Sequence, residues 1–150
     1  MKLFYKERPR DINIEIGVSS KEEIINFYIF NEPALNTFDE NLANSRIGDK
    51  YHIIETVSVK CMLLNNILDQ YLPPNIKITF LTIDIEGYDL KVLATNDWNK
   101  YRPRYLIVES YELYVDKVIE SDIYKYLSEN DYKLVSKSYY SQIFQNSFES

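Results

Sequence analysis

Ten residues constrain this chain more than the rest: Ile78-Thr79-Phe80-Leu81-Thr82-Ile83-Asp84-Ile85-Glu86-Gly87. A mostly apolar run is the pattern of a central parallel strand covered on both faces. It stops at two carboxylates and a glycine, and Tyr88-Asp89-Leu90 then opens a helical pattern. In open α/β sheets, ligands gather beyond the carboxyl ends of such strands. Acids there are costly unless solvated, paired or used. Asp84 and Glu86 are therefore the first candidates for a site.

The flanking pattern fits one α/β domain spanning residues 1–150. Ile12, Ile14, Ile16 and Val18 alternate with polar residues and predict a strand, and Ile25 to Phe30 predicts a second that pairs with it as a hairpin. Residues 31–50, with Pro33 and Gly48, read as a long loop, and Ile54 to Lys60 alternates again. Leu63, Leu64, Ile67, Leu68 and Tyr71 follow helical spacing, and Pro73-Pro74 stops that helix. After the acid-tipped strand come a short helical face at Leu90, Leu93 and Ala94, and Trp98 as a packing anchor. Tyr105 to Ser110 is another apolar strand ending in an acid, Glu109. Ile119, Ile123, Tyr126 and Leu127 share a helical face, and Tyr132 to Lys137 and Ser141 to Gln145 predict an antiparallel closing hairpin. Strand–helix–strand order in this half implies right-handed parallel crossovers.

Composition excludes several classes. A net charge of −6 argues against nucleic acid as the main partner, since a phosphate backbone needs a basic face. No apolar stretch approaches the roughly 20 residues of a membrane helix, and residues 1–8 lack a signal-peptide core. A single cysteine, Cys61, forms no internal disulfide, so a cytoplasmic setting is expected. With one histidine, His52, a single chain builds no Cys/His zinc site, and no nucleophile elbow accompanies that histidine. The three glycines, Gly17, Gly48 and Gly87, stand far apart, so neither a Gly-x-Gly-x-x-Gly loop nor a P-loop is present.

If the strand continued through them, Asp84 and Glu86 would project to one face about 7 Å apart. That spacing suits a shared cation, a shared substrate hydroxyl, or an acid and a base with separated pKa values. The alternative is that Asp84 caps a turn and Glu86 is solvated. Glu109 would lie beside Asp84 on a neighbouring strand, or be a solvated strand end. Lys100, Arg102 and Arg104 either bind an anion or form a solvated turn. Cys61, between Val59 and Met62, reads as packing.

Phe80 to Leu93, followed by Asp97-Trp98-Asn99-Lys100-Tyr101-Arg102-Pro103-Arg104-Tyr105-Leu106-Ile107-Val108-Glu109, resembles the FkbM family of S-adenosylmethionine-dependent methyltransferases. Ile12-Asn13-Ile14-Glu15-Ile16-Gly17-Val18-Ser19 is similar to an upstream part of the same family. The resemblance implies a Rossmann-like class I methyltransferase sheet, with the Ile12, Asp84 and Tyr105 strands as its third, fourth and fifth. It also implies S-adenosylmethionine as cofactor, O-methyl transfer to a sugar, glycan or other small-molecule hydroxyl, and Asp84 and Glu86 as the catalytic acids. By the same resemblance, Gly17 and Val18 lie near the adenine end of the cofactor and Asp84 near its methyl group.

One departure accompanies the resemblance. The glycine-rich cofactor loop and the ribose-binding acid of that fold should precede the Ile12 strand, where eleven residues without glycine stand. The expectation is an N-terminally truncated sheet with an open edge on the Asp84 strand. Three readings compete: a C-terminal fragment that binds cofactor poorly alone, a half complemented by an N-terminal segment or by its own copy in a dimer, and a non-catalytic interaction domain that associates through the open edge. The fragment reading leads. A magnesium-dependent phosphatase fits less well, because its strand prefers Asp-x-Asp near the N-terminus.

Overall fold

Residues 12–16, expected as the start of a strand, are kept out of any ladder by local hydrogen bonds. The Tyr5 hydroxyl donates to the Asn13 carbonyl (3.0 Å), and Asn13 Nδ2 donates to the Arg8 and Asp11 carbonyls (3.3 Å each). Such side-chain-to-backbone bonds compete with ladder pairing. The strand expected from Ile12 shrinks to β1, Gly17–Val18, after helix α1, Lys2–Glu7. A computed structural model describes residues 2–85, 88–110, 112 and 114–148, in two units, Met1–Met62 and Leu63–Ser150.

The first unit contains a three-stranded sheet ordered β1-β3-β2, with β2 at Glu23–Phe30 and β3 at Ile53–Met62. The expected hairpin between the Ile12 and Ile25 segments does not form. β2 pairs antiparallel with β3 instead, setting Ile25 opposite Val59 and Phe27 opposite Val57, while β1 lies parallel to β3 with Gly17 opposite Cys61. The apolar faces of two long alternating strands match, which outweighs the short connection that β1 offers. The long loop is pinned rather than loose. Thr37 exchanges backbone hydrogen bonds with Tyr28 (2.9 and 3.2 Å), and the Phe27 and Phe38 rings sit 4.5 Å apart. Helix α2, Glu40–Arg46, starts where Asp39 caps the Leu42 amide at 2.9 Å.

The second unit has a four-stranded sheet ordered β4-β5-β7-β6. β4 spans Phe80–Ile83, β5 Tyr105–Glu109, β6 Tyr132–Lys137 and β7 Ser141–Asn146. β4 and β5 are parallel, as the apolar runs predict, and β6 and β7 form the expected antiparallel closing pair. Among the described residues β4 pairs with β5 alone, and its Phe80 is 60 % exposed. This mixed α/β architecture agrees with the sequence expectation.

Helix α3, Leu64–Tyr71, ends at Leu72, before Pro73-Pro74, as proline chemistry requires. Helix α4, Asp89–Leu93, follows β4. The expected single helical face from Ile119 to Leu127 is cut in two. Ser121 is extended (φ −67°, ψ 150°) between α5, Val115–Glu120, and α6, Asp122–Glu129. Its hydroxyl donates to the Val118 carbonyl (2.7 Å) and accepts from the Tyr124 amide (3.2 Å), ending one helix and capping the next. Ile119 is thereby left 49 % exposed, while Val118 and Leu127 are fully buried.

Trp98 is the anchor of this unit. Its indole N–H donates to the Tyr126 hydroxyl at 2.9 Å, and its ring meets those of Tyr126 and Tyr132 edge-on at 6.3 and 5.4 Å. The Tyr132 hydroxyl donates to the Pro103 carbonyl at 2.7 Å. No helix among the described residues is long and apolar enough to cross a membrane.

Candidate functional site

The parallel register of β4 and β5 ends at Ile83 opposite Val108. In these two strands Asp84 follows Ile83 and Glu109, itself paired with Ser141 of β7, follows Val108, so the sheet brings the two acids to the same end. Asp84 is exposed, and Glu109 is half-buried. The Tyr88 amide donates to the Ile85 carbonyl at 3.2 Å. Lys91 Nζ sits 4.6 Å from the centre of the Tyr88 ring. Glu86 and Gly87, the other half of the acid-tipped motif, lie outside the described residues.

Asp89 begins α4 and is only 3 % exposed. A cavity of about 310 Å³ is lined by Asp89, Glu109, Ser110 and Gln142 and by the exposed Glu112 and Asp122. Strand pairing explains how Gln142 arrives there. β7 pairs antiparallel with β5, with Val108 opposite Gln142 and Leu106 opposite Phe144. Leu106, Val108 and Phe144 are fully buried, so Gln142 occupies a core-facing position. Its Nε2 donates to Ser110 Oγ at 2.6 Å.

The sequence motif predicted Asp84 and weighed Glu109, but Asp89, Ser110 and Gln142 were not singled out. For Gln142 a signal existed. In Ser141-Gln142-Ile143-Phe144-Gln145-Asn146, Phe144 fixes the inward face, and Gln142 shares it two residues away. A polar residue in core register is a candidate for function.

The other nominated residues have structural employment. Gly17 is buried in β1, and a Cβ there would come within 2.4 Å of Cys61 Sγ. Its missing side chain therefore makes room for the thiol. Cys61 itself is 1 % exposed, and burial pushes its thiol pKa up, which suits packing rather than nucleophilic chemistry. Val18 completes β1 beside Gly17. His52 is exposed, and its backbone bonds to Asn31. The Arg102 guanidinium donates to the Trp98 carbonyl (3.3 Å) and the Asn130 carbonyl (2.7 Å) and stacks 5.4 Å from the Tyr132 ring centre. It is a clamp of the fold, not a waiting anion site.

Lys100 is likewise engaged. Asp69 on α3 accepts hydrogen bonds from Lys100 Nζ and the Tyr101 hydroxyl. The Lys100 bond, then the Tyr101 bond, holds the Asp69 carboxyl below the usual carboxylate range. A carboxyl lowered on folding stabilises the native state above its unfolded pKa of about 3.9, and that contribution disappears as pH falls through the folded value. Asp69→Asn should therefore lower the melting temperature modestly near pH 7, the pair being solvated. The difference from wild type should close as pH falls below about 4. Thermal melts followed by circular dichroism across that range check it. A gap that is constant with pH would contradict the assignment.

Two further facts bear on bound groups. Among the described residues no cluster of three or more His, Cys, Asp or Glu side chains is arranged to hold a metal ion. Of the described glycines, Gly17 is packed against Cys61 and Gly48 has nothing within 4 Å of its Cβ position. Neither belongs to a glycine cluster that would let the backbone close on a nucleotide-like cofactor.

Comparison with known proteins adds one positive result. A family model described as "Methyltransferase FkbM domain" matches residues 2–134 of the 150. No curated protein and no solved structure matches the chain.

Proposed function

The chain belongs to the FkbM methyltransferase family, and on that premise we propose that it serves O-methyl transfer, contributing the acids that handle the acceptor hydroxyl. The observation that carries this reading is the pairing of β4 with β5, which delivers Asp84 and Glu109 to one end of the sheet. Asp84 is the base for the acceptor hydroxyl, with Glu86 beside it in sequence. An exposed carboxylate at a strand end meets a hydroxyl without the cost of burial, and positioning that oxygen supplies much of the rate. Glu109 offers a second acceptor oxygen to orient the same substrate. A sugar or glycan hydroxyl is the substrate class, because polyols present several donors to a carboxylate-lined strand end.

S-adenosylmethionine supplies the methyl group in this family. The described residues do not form a glycine cradle for it, so the chain's affinity for it is expected to be low and no step is assigned to its binding. The test is release of S-adenosylhomocysteine, with cofactor supplied at about millimolar concentration to offset weak binding. Release that depends on an added hydroxylated acceptor supports the reading. Absence of acceptor-dependent release across mono- and oligosaccharides contradicts it.

A further inference from the structure

We propose that the cavity beside Gln142 binds a small hydroxylated molecule carrying a protonated primary amine, an amino sugar in chemical class. The inference concerns ligand chemistry alone and stands whether or not the chain transfers methyl groups. Gln142 is 1 % exposed and lines the cavity; its Nε2 is used on Ser110, while its Oε1 has no hydrogen-bond partner among the described residues. An amide oxygen can only accept, and a buried polar atom left in this condition calls for a partner that arrives from outside. Ser110 Oγ beside it already accepts from Gln142 Nε2 and from the Glu112 amide at 3.3 Å.

The surroundings select the charge of that partner. Asp89, Glu109, Glu112 and Asp122 bring four carboxyl groups to the cavity, the first two also engaged within the protein, and among the described residues no lysine, arginine or histidine lines it. Lys125 reaches Asp122 at 3.9 Å, in an exposed pair along α6, which screens that carboxylate weakly. An anion would be repelled, and a neutral acceptor would leave Gln142 Oε1 unmet. An ammonium group has three donors and no acceptor, and its bonds to carboxylates are charge-assisted. No metal-binding cluster occurs among the described residues, so an organic cation fits better than a metal ion. Leu90 and Ile123 add an apolar wall for a carbon skeleton. A volume of about 310 Å³ is at the small end for ligand cavities, as a monosaccharide-sized occupant requires.

Glucosamine is the probe, titrated into the full 150-residue chain near pH 6.5, where its amine is protonated, and followed by calorimetry and saturation-transfer NMR. Saturable binding at least about tenfold tighter than that of N-acetylglucosamine or glucose is expected, since acetylation removes the charge and keeps the other hydroxyls. Gln142→Leu should weaken glucosamine binding about tenfold. Because that position is in the core, the double variant Glu112→Gln with Asp122→Asn, at two exposed positions, gives a version that leaves packing intact. It should weaken binding about three- to tenfold. Equal binding of amine and N-acetyl sugars, no saturable binding up to about 50 mM, or binding indifferent to both sets of variants would overturn the proposal.

Discussion

Asp84→Asn should reduce methyl transfer to a hydroxyl acceptor by about 10²–10⁴-fold, the range for loss of a positioned general base. That corresponds to about 2.7–5.5 kcal/mol of transition-state stabilisation. Asparagine keeps the shape of the side chain and can still donate to an acceptor oxygen, but it cannot take a proton at neutral pH. The loss should therefore fall on kcat, with KM for the acceptor little changed. Stability should move by no more than about 0.5 kcal/mol, because Asp84 is exposed and lies just past the last ladder pair. Glu109→Gln offers the comparison. As an orienting group it should shift KM more than kcat. Initial rates at saturating acceptor distinguish the two, and near-wild-type turnover in Asp84→Asn would remove it from the chemistry.

The second large effect is on folding. Trp98→Ala should destabilise the Leu63–Ser150 unit by about 3–5 kcal/mol, the range for truncating a large buried aromatic residue. Trp98 is 8 % exposed, holds Tyr126 through its indole N–H and packs edge-on against Tyr126 and Tyr132. The loop that carries it is itself tied down. Asp97 accepts from the Asn99 amide at 3.0 Å and from the Tyr101 amide at 2.7 Å, and Asn96 Nδ2 donates to the Tyr101 carbonyl at 2.9 Å. The loop cannot collapse cheaply into the vacated space, so the cavity term is retained. For a unit below 100 residues the melting temperature should fall by about 15 °C or more. Trp98→Phe keeps the ring contacts and gives up the hydrogen bond, so it should recover more than half of the loss. Chemical denaturation followed by circular dichroism measures both. A Trp98→Ala protein within about 1 kcal/mol of wild type would show that the anchor lies elsewhere.

The second unit was the more legible half of the sequence. Its parallel strands β4 and β5 are short apolar runs bounded by Pro73-Pro74, Pro103 and acids, and its sheet pairs β5 with β4 in the parallel sense that the intervening helix dictates. The first unit was harder to read because alternation marks a strand without naming its partner. The Ile25 segment had two alternating neighbours in sequence, and long-range apolar matching chose Ile53–Met62 over the nearer Ile12 segment. Ser121 was hidden by the opposite difficulty. An apolar period runs through it, and the helix break comes from its hydroxyl bonding in both directions.

The site divides in the same way. The acid after Ile83 was visible because a charge ending an apolar strand is conspicuous. Gln142 is less conspicuous, because in sequence its inward position is signalled only by Phe144 two residues on, and the pairing with β5 makes it definite. Gly17 invited a cofactor reading on resemblance, yet its immediate physical reason is the Cys61 thiol that occupies the space a side chain would need.

The most direct measurement is the fate of a trideuterated methyl group. The protein is incubated with trideuteromethyl S-adenosylmethionine and a glycan acceptor, and the product is analysed by mass spectrometry and NMR. The account predicts a trideuteromethyl ether on a sugar oxygen, formed by wild type and nearly lost in Asp84→Asn. Label on nitrogen or carbon, or label on oxygen formed equally well by Asp84→Asn, would contradict it.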